Sequence, residues 1–483
     1  MNWWVLRCKV HPSWLTAITC VGVSAGVFLA RYVGVTGSES TICLVVSLII
    51  IIVSMSLKYR YLIPLLILGG ILLGLWRGSL FTVKMASFES LYGGTVYVNG
   101  VVKDDVDTGS SGQIVIRLDD IKIDGESMQG MLWVISDNTD IKRGDELALH
   151  GELREGFGNF SGVIRNAVID RIIHSNKDLA LVVRDRFANA IRVALPDPEA
   201  SLGIGYLVGQ RRSLPTDLVL ALQMAGLTHI VVASGYNLTI LVRLTRRLFA
   251  RISKYLSVLT AVIMIISFTA ITGMSPSMSR AGLVAGLSLA AWYYGRRFHP
   301  LILLSLAVTV TLIINPAYAW DDLGWQLSFA AFAGVMVLAP LTQRYLFGDK
   351  KPGFIRQALG ETVSAQIATA PLLIVAFGQI SNVAVLSNLL ILPLVPLAML
   401  LTFAAGIGSL IFPSVSHLLA LPAFWLLHYM VNIAEFFADL PWAASNIQFG
   451  FFGASLSYVI IILGCVYMSY TTKYRLRDVN LVE

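Results

Sequence analysis

Charge is scarce in this sequence. Of 483 residues only 13% are Asp, Glu, Lys or Arg while 56% are hydrophobic, and a soluble chain carries roughly 25% charge. An ordinary cytosolic enzyme is therefore excluded. Cysteine is scarce too: Cys8, Cys20, Cys43 and Cys465 lie in or beside apolar runs with no C-x-x-C spacing, which removes both a disulfide framework and a zinc site. The sequence also lacks a G-x-x-x-x-G-K-[ST] phosphate loop, an H-E-x-x-H pair and any clustering of its seven histidines, so neither ATP hydrolysis nor metal-assisted hydrolysis is indicated. Internal repeats and low-complexity runs are missing as well.

What the sequence does contain is a series of apolar runs near 20 residues, each long enough to cross a bilayer. Three open the chain, at 14–32, 41–57 and 61–81. The first follows Arg7 and Lys9 like a signal peptide, but no small-x-small cleavage site succeeds it, so a retained anchor is expected. Nine more begin near Leu227, Leu256, Met278, Pro300, Gly324, Gln357, Ala384, Val415 and Phe451. The expected fold is a polytopic α-helical membrane protein of about 12 spans. Pro393 and Pro396 fall inside the apolar stretch after Ala384, where a broken helix is predicted.

Between 82 and 178 the apolar runs give way to short alternating stretches at 96–102, 113–118, 130–135, 146–153 and 161–169, separated by Gly, Asp, Asn and Ser. Half-buried strands joined by turns have this pattern. Their number and spacing suggest an inserted small β-barrel of oligonucleotide-binding (OB) type, with a generic β-domain as the alternative. Residues 179–195 alternate apolar residues with Arg184, Asp185, Arg186 and Arg192, as in an amphipathic interfacial helix. Two short helices, at 200–208 and 215–225, are expected to dip or lie flat. The domain plan is thus 1–81 (three spans), 82–178 (OB-like), 179–226 (interfacial and short helices), 227–472 (polytopic domain) and 473–483 (basic tail).

Orientation follows from the loops. Alternate loops of the second half carry Arg243, Arg246, Arg247, Arg251 and Lys254, then Arg296 and Arg297, then Arg344, Lys350, Lys351 and Arg356, and finally Lys473, Arg475 and Arg477; the intervening loops carry no Lys or Arg. By the positive-inside rule both termini are cytoplasmic and the β-domain is extracytoplasmic. Arg31 is the one dissenting charge. The net charge of +7 hides a division, because residues 82–178 hold 10 basic and 16 acidic side chains. An acidic domain is a poor collector of phosphate, and its aromatics, Tyr97, Trp133, Phe157 and Phe160, are expected to pack in the barrel core.

Two polar constellations interrupt the apolar half. In Thr272-Gly273-Met274-Ser275-Pro276-Ser277-Met278-Ser279-Arg280, Ser275 suits an N-cap and Pro276 the first helical position. Ser277, Ser279 and Arg280 would then line a helix start able to hold an anion; the bland reading is that Arg280 snorkels to the outer interface. In Gly226-Leu227-Thr228-His229 through Ser234-Gly235-Tyr236-Asn237, His229 and Asn237 would lie about 80° apart on a helix. Either a polar lining or helix-to-helix hydrogen bonding accounts for them. Gln326, Gln366 and Asn388 add neutral amides, Glu435 is a weak proton-coupling candidate, and Arg211 with Arg212 could catch an entering anion or touch lipid headgroups.

Taken in order, Gly209-Gln210-Arg211-Arg212-Ser213-Leu214-Pro215, His229 with Ser234-Gly235, the stretch 273–281, Asn315-Pro316, the stretch 324–331 and Ala365-Gln366 through Pro371 to Asn388 resemble the ComEC family. Its members are inner-membrane channels that pass single-stranded DNA into naturally competent bacteria. The resemblance covers nearly the whole chain and implies an outward OB-like domain followed by a channel-forming competence domain. Two departures stand out: Asn237 occupies a position where the family commonly has His, and many relatives continue into a metallo-β-lactamase-like domain proposed to degrade one strand. The chain resembles a short form without that domain, with strand degradation expected elsewhere.

The resemblance implies single-stranded DNA translocation across the cytoplasmic membrane, past Arg211 and Arg212, the Ser275–Arg280 helix start, and His229, Ser234, Asn237, Gln326 and Gln366. No catalytic residue, metal or cofactor is expected. Expected partners are single-stranded DNA, an extracytoplasmic DNA receptor, a cytoplasmic ATPase or strand-binding protein, the bilayer and a second copy of the chain. The rival is a secondary transporter or flippase for a smaller anionic solute or lipid-linked sugar; a third reading is a sensor or scaffold through which nothing crosses.

Overall fold

The computed structural model describes residues 10–474 apart from 36, 109–112, 138–140, 159, 175–178, 211–213, 232–234, 274–275, 296–298, 349–351 and 448. The order is α1 (Pro12–Leu29), α2 (Gly37–Leu57), α3 (Ile63–Ala86), then β1 (Thr95–Val102), β2 (Ile114–Ile123), β3 (Leu132–Ser136), β4 (Glu146–Glu155), β5 (Gly162–Ile164) and β6 (Val168–Ile173). Next come α4 (Leu179–Ala194), α5 (Glu199–Val208), α6 (Thr216–Met224), α7 (Thr228–Val231), α8 (Gly235–Ala250), α9 (Lys254–Thr272), α10 (Pro276–Tyr293), α11 (Pro300–Ile314) and α12 (Leu323–Ala333). A π-turn (Gly334–Leu338) leads into α13 (Ala339–Phe347), followed by α14 (Phe354–Phe377), α15 (Ala384–Ile391), α16 (Val395–Ile411), α17 (Ser416–Ala438) and α18 (Phe451–Thr472). Two compact units result: Met1–Lys177 with Leu301–Trp325, and Asp178–Pro300 with Gln326–Glu483. Nine helical segments among the described residues are long and apolar enough to cross a membrane, and α11 is a shorter apolar helix. The chain is a polytopic membrane protein with a barrel domain.

In the first unit α1 and α3 pack through glycine. A Cβ on Gly22 would meet the Ile67 carbonyl at 2.7 Å and one on Gly70 the Thr19 carbonyl at 2.7 Å, while Gly26 and Gly74 leave still less room. Small residues one turn apart let two backbones approach where lipid offers no hydrophobic drive. Arg77 of α3 then caps α11, its Nε donating to the Ile313 carbonyl at 2.7 Å and an Nη to that of Ile314 at 3.0 Å. A cation at the C-terminal end of a helix satisfies orphan carbonyls and opposes the dipole. Arg31, the charge that departs from the loop parity, pairs with Asp321 at 2.9 Å.

The barrel closes in the strand path β1-β2-β3-β5-β4-β1, antiparallel throughout except for the parallel β3–β5 pair. That is the OB arrangement. Alternation supplies the core: Val96, Val98 and Val102 of β1, Ile114, Ile116 and Leu118 of β2, Leu132 and Val134 of β3, and Leu147, Leu149 and Leu153 of β4 surround Phe88. The predicted strand 161–169 is two strands, because the chain turns at Asn166, whose φ of 53° an Asn tolerates. The four aromatics assigned to the core are not in it: Tyr97 is 63% and Phe157 53% exposed, and Trp133 and Phe160 are half-buried.

In the second unit the amphipathic helix α4 and the short α5 and α6 form as expected, and every residue of α5 is buried. The break after Ala384 is also present: α15 stops at Ile391, a 3-10 turn spans Leu392–Leu394, and α16 resumes. The expected span from Leu227 differs. Gly226 has a φ of 72°, α7 ends after Val231, and α8 starts at Gly235 as an amphipathic helix carrying Arg243, Arg246 and Arg247.

Candidate functional site

Helix α10 carries Arg280 into the second unit. One guanidinium Nη donates to the Ser328 carbonyl of α12 at 3.0 Å, and its Cζ lies 5.4 Å from the Phe329 ring centroid and 6.0 Å from that of Phe332. Ser328 and Phe332 are one turn apart, so a single stripe of α12 grips the cation. On the other side, a Cβ on Gly235 would stand 3.4 Å from an Arg280 Nη. The first residue of α8 thus borders the guanidinium, and a glycine there leaves it room. An arginine inside a span costs a few kcal/mol on insertion scales, and these contacts fix where its charge sits.

Asn237, two residues into α8 from Gly235, is fully buried. Its Nδ2 donates to the Tyr206 carbonyl at 3.0 Å, which ties α8 to the end of α5 in the helix-to-helix manner. His229 sits on α7 with its surface exposed and its ring bonded to the Gly226 backbone. Gln326 is half-buried on α12, one turn before Phe329, and Gln366 is half-buried on α14. The π-turn after α12 brings those two helices together: a Cβ on Gly334 would meet the Ser364 carbonyl at 2.5 Å and the Ala368 side chain at 2.9 Å. Arg280, α8 and α12 therefore form one constellation, with Gln366 on the next helix along.

Arg211, Arg212, Ser234 and Ser275 lie outside the described residues, as does the side chain of Ser277. Gln210, immediately before the two arginines, is held by α4: its Nε2 donates to Asp185 Oδ1 at 3.1 Å, and Arg192 donates to its Oε1 at 3.3 Å.

One pair was missed by sequence reasoning. Glu199, 4% exposed at the first position of α5, stands 2.8 Å from Nδ1 of His428 on α17, whose ring stacks on Phe424 at 5.4 Å. Glu199 was hidden in a helix too short to register as a span. Asn388 of α15 is also buried, its Nδ2 donating to the Ala384 carbonyl at 2.7 Å. The carboxylate, the imidazole and the amides add polar and ionisable groups to the apolar helices of this unit, and ionisable groups within membrane helices are functional-site candidates by default. Among the described residues no cluster of His, Cys, Asp and Glu could hold a metal ion.

A family model, Competence protein, matches residues 206–472, the stretch that holds Arg280, α8, α12 and Gln366, while Glu199 lies just before it. The chain is 25% identical over 264 residues to ComE operon protein 3 of Bacillus subtilis (strain 168), covering 52% of this chain and 32% of that protein. The match therefore spans about a third of the relative's length. No solved structure matches.

Proposed function

The chain belongs to the Competence protein family, the ComEC family, and from that premise we propose that it passes single-stranded DNA across the cytoplasmic membrane in natural transformation. The reading places both termini in the cytoplasm and the barrel outside, as the Lys and Arg of alternate loops favour, with about twelve crossings. The strand enters past Arg211 and Arg212, meets the helix start at 275–280, and runs beside His229, Gln326 and Gln366. The chain acts as a channel, without bond-breaking chemistry or cofactor. An outer DNA receptor delivers the strand and a cytoplasmic ATPase or strand-binding protein draws it in.

The observation that carries this reading is the fixed guanidinium of Arg280, set among α8, α10 and α12 in the half of the chain that the family model covers. A cation whose position is held by a carbonyl and two rings can meet successive phosphates without reorganising. Replacing it by Ala is expected to leave the protein inserted and DNA bound at the cell surface, while internalised labelled DNA falls by about tenfold or more, the equivalent of one lost contact of roughly 1.4 kcal/mol. Arg280→Lys keeps the charge without the planar fork and should fall between. Unchanged internalisation in Arg280→Ala removes the residue from the path.

The transporter reading is favoured by one observation, the pairing of buried Glu199 with the partly exposed His428, since carriers coupled to protons need such groups. Flux of small anions into proteoliposomes, with labelled DNA uptake in a deletion strain beside it, separates the two.

A further inference from the structure

We propose that α8, the turn after it and the end of α10 form a binding site for the headgroup of an anionic phospholipid, with α8 lying along the membrane surface. Between Arg243 and Lys254 the chain carries five cations, Arg243, Arg246, Arg247, Arg251 and Lys254, and it has no Asp or Glu from 218 to 320. Among the described residues none of the five forms an ion pair. Two of them converge on one ring: the Arg246 Cζ lies 5.3 Å and the Lys254 Nζ 5.5 Å from the Trp292 centroid, and Lys254 is also 5.4 Å from that of Tyr293. Arg246 is only 8% exposed. Its backbone is held from behind, because the Ser257 hydroxyl of α9 donates to the Arg246 carbonyl at 3.0 Å. A ring attracts cations through its quadrupole but brings no net charge to cancel theirs. Two cations drawn to the same indole, one of them buried, are therefore short of an anion, since buried charge is ordinarily paired.

The outer face of α8 selects the kind of anion. Leu238, Leu241 and Val242 pack the inner face into the cluster shared with α9 and α10. The rest of the helix surface is divided lengthwise: Arg243 and Arg247, one turn apart, are exposed along one edge, and Leu244 and Leu248 along another about 100° round. Ile252 and Tyr255, 71% and 67% exposed, add apolar surface in and after the turn. A nucleic-acid strand would satisfy the arginines and leave the aliphatic edge in water. A phospholipid serves both, with its phosphate at the cations and its acyl chains along the leucines, as at other amphipathic helices lying in the interface. Trp292 and Tyr293, at the end of α10, are the side chains that favour this depth. A zwitterionic headgroup carries its own cation and leaves the surplus standing, whereas an anionic one cancels it. Arg246 offers the phosphate a planar fork and Lys254 a point charge.

Nothing in this site depends on what the chain carries, so lipid binding and DNA uptake can fail separately. The test uses the full chain in nanodiscs of equal parts phosphatidylglycerol and phosphatidylcholine, released into a mass spectrometer that counts the lipids it retains. The wild type is expected to keep phosphatidylglycerol over phosphatidylcholine by about tenfold or more. Arg246→Gln with Lys254→Gln should bring the two lipids near parity. Lys254→Gln alone, at an exposed position, should lower the preference about fivefold, and it decides the matter if the double variant does not fold. Arg344→Gln with Arg356→Gln removes two charges from another stretch and should keep the wild-type preference. Equal retention of both lipids by the wild type overturns the proposal, and so does a preference that survives Lys254→Gln unchanged. Equal loss in the Arg344 and Arg356 pair overturns it as well, because the cations would then act only as bulk charge that orients the chain. Inorganic phosphate and oligo-dT are added as competitors at matched ionic strength. Neither should displace phosphatidylglycerol; displacement by the first would make this a free-phosphate site and by the second a strand-binding surface, and either result rejects the lipid.

Discussion

Asp322 is a carboxylate asked to do two things. Its Oδ1 accepts from the Trp325 amide at 2.7 Å, which makes it the cap of α12, and burial pushes its proton affinity above the ordinary carboxylate range while the Trp325 and Gly324 amides and Arg117 pull it back. Because burial wins, the folded protein holds this proton more tightly than the unfolded chain. The stability it contributes is therefore full below the unfolded value and is lost as pH rises through the folded one. Asn caps a helix about as well as Asp and does not titrate. Asp322→Asn is expected to melt above the wild type at neutral pH, with the gap closing as pH falls through the carboxylate range; a gap that ignores pH contradicts the assignment. At this scale the sequence was readable wherever one residue broke a local rule. Arg280 stood out as a charge in an apolar run, and the structure sets it against the Ser328 carbonyl and the rings of Phe329 and Phe332. Glu199 and His428 could not be paired, because 229 residues separate them and only the tertiary fold brings them together. The barrel aromatics were legible and misread: Tyr97 alternates with the inward Val96 and Val98, and Trp133 sits between the inward Leu132 and Val134, so strand parity alone puts both rings outside.

Among the elements, the α1–α3 pair shows what a membrane contact costs when it is built on missing atoms. A Cβ on Gly74 would fall on the Val23 carbonyl and within 2.8 Å of the Val27 amide, and neither is the movable end of a side chain. Gly74→Ala should push the two helices apart and destabilise the first unit by about 1–3 kcal/mol, the usual range for overpacking. Gly464→Ala on α18, where no atom lies within 4 Å, is the matched control and should leave the melting point in detergent unchanged. If both variants melt alike, close backbone packing is not what holds α1 to α3. Element boundaries were legible where proline or periodicity marked them: α4 ends at Ala194 just before Pro196, and the break after α15 falls at Pro393. They failed at 227–250. Hydropathy there averages over a stretch in which Gly226 and Gly235 let the chain change direction, and a window of that width cannot see a turn. The π-turn between α12 and α13 was invisible for a related reason, since it arises from close packing of Gly334 on α14 and leaves no mark on the apolar pattern.

For the molecule as a whole, the single-strand reading proposed above turns on energy. With the cell interior negative, each phosphate that moves inward across the field costs about 2.3 kcal/mol per 100 mV. A strand several nucleotides deep in the membrane is therefore pushed back out by its own charge. A fixed cation such as Arg280 would lower the local barrier on that reading, but it would be passed and left behind, so it would return nothing over a complete crossing. The 483 residues hold no P-loop, and the acidic barrel, with 10 basic and 16 acidic side chains between 82 and 178, does not concentrate DNA at the entrance. On that reading, work has to be done from the cytoplasmic side, by an ATPase that reels the strand or by a protein that binds it fast enough to prevent return. Cells depleted of their cytoplasmic DNA translocases and strand-binding proteins should therefore keep labelled DNA at the surface while protected, internalised DNA falls to the level of a strain lacking this protein. Collapsing the membrane potential alone should ease entry if the field is the main obstacle. It should instead stop entry if protons passing the Glu199–His428 pair supply the drive. Internalisation at the normal rate in the depleted cells, with the potential intact, would mean that the pull comes from this chain itself.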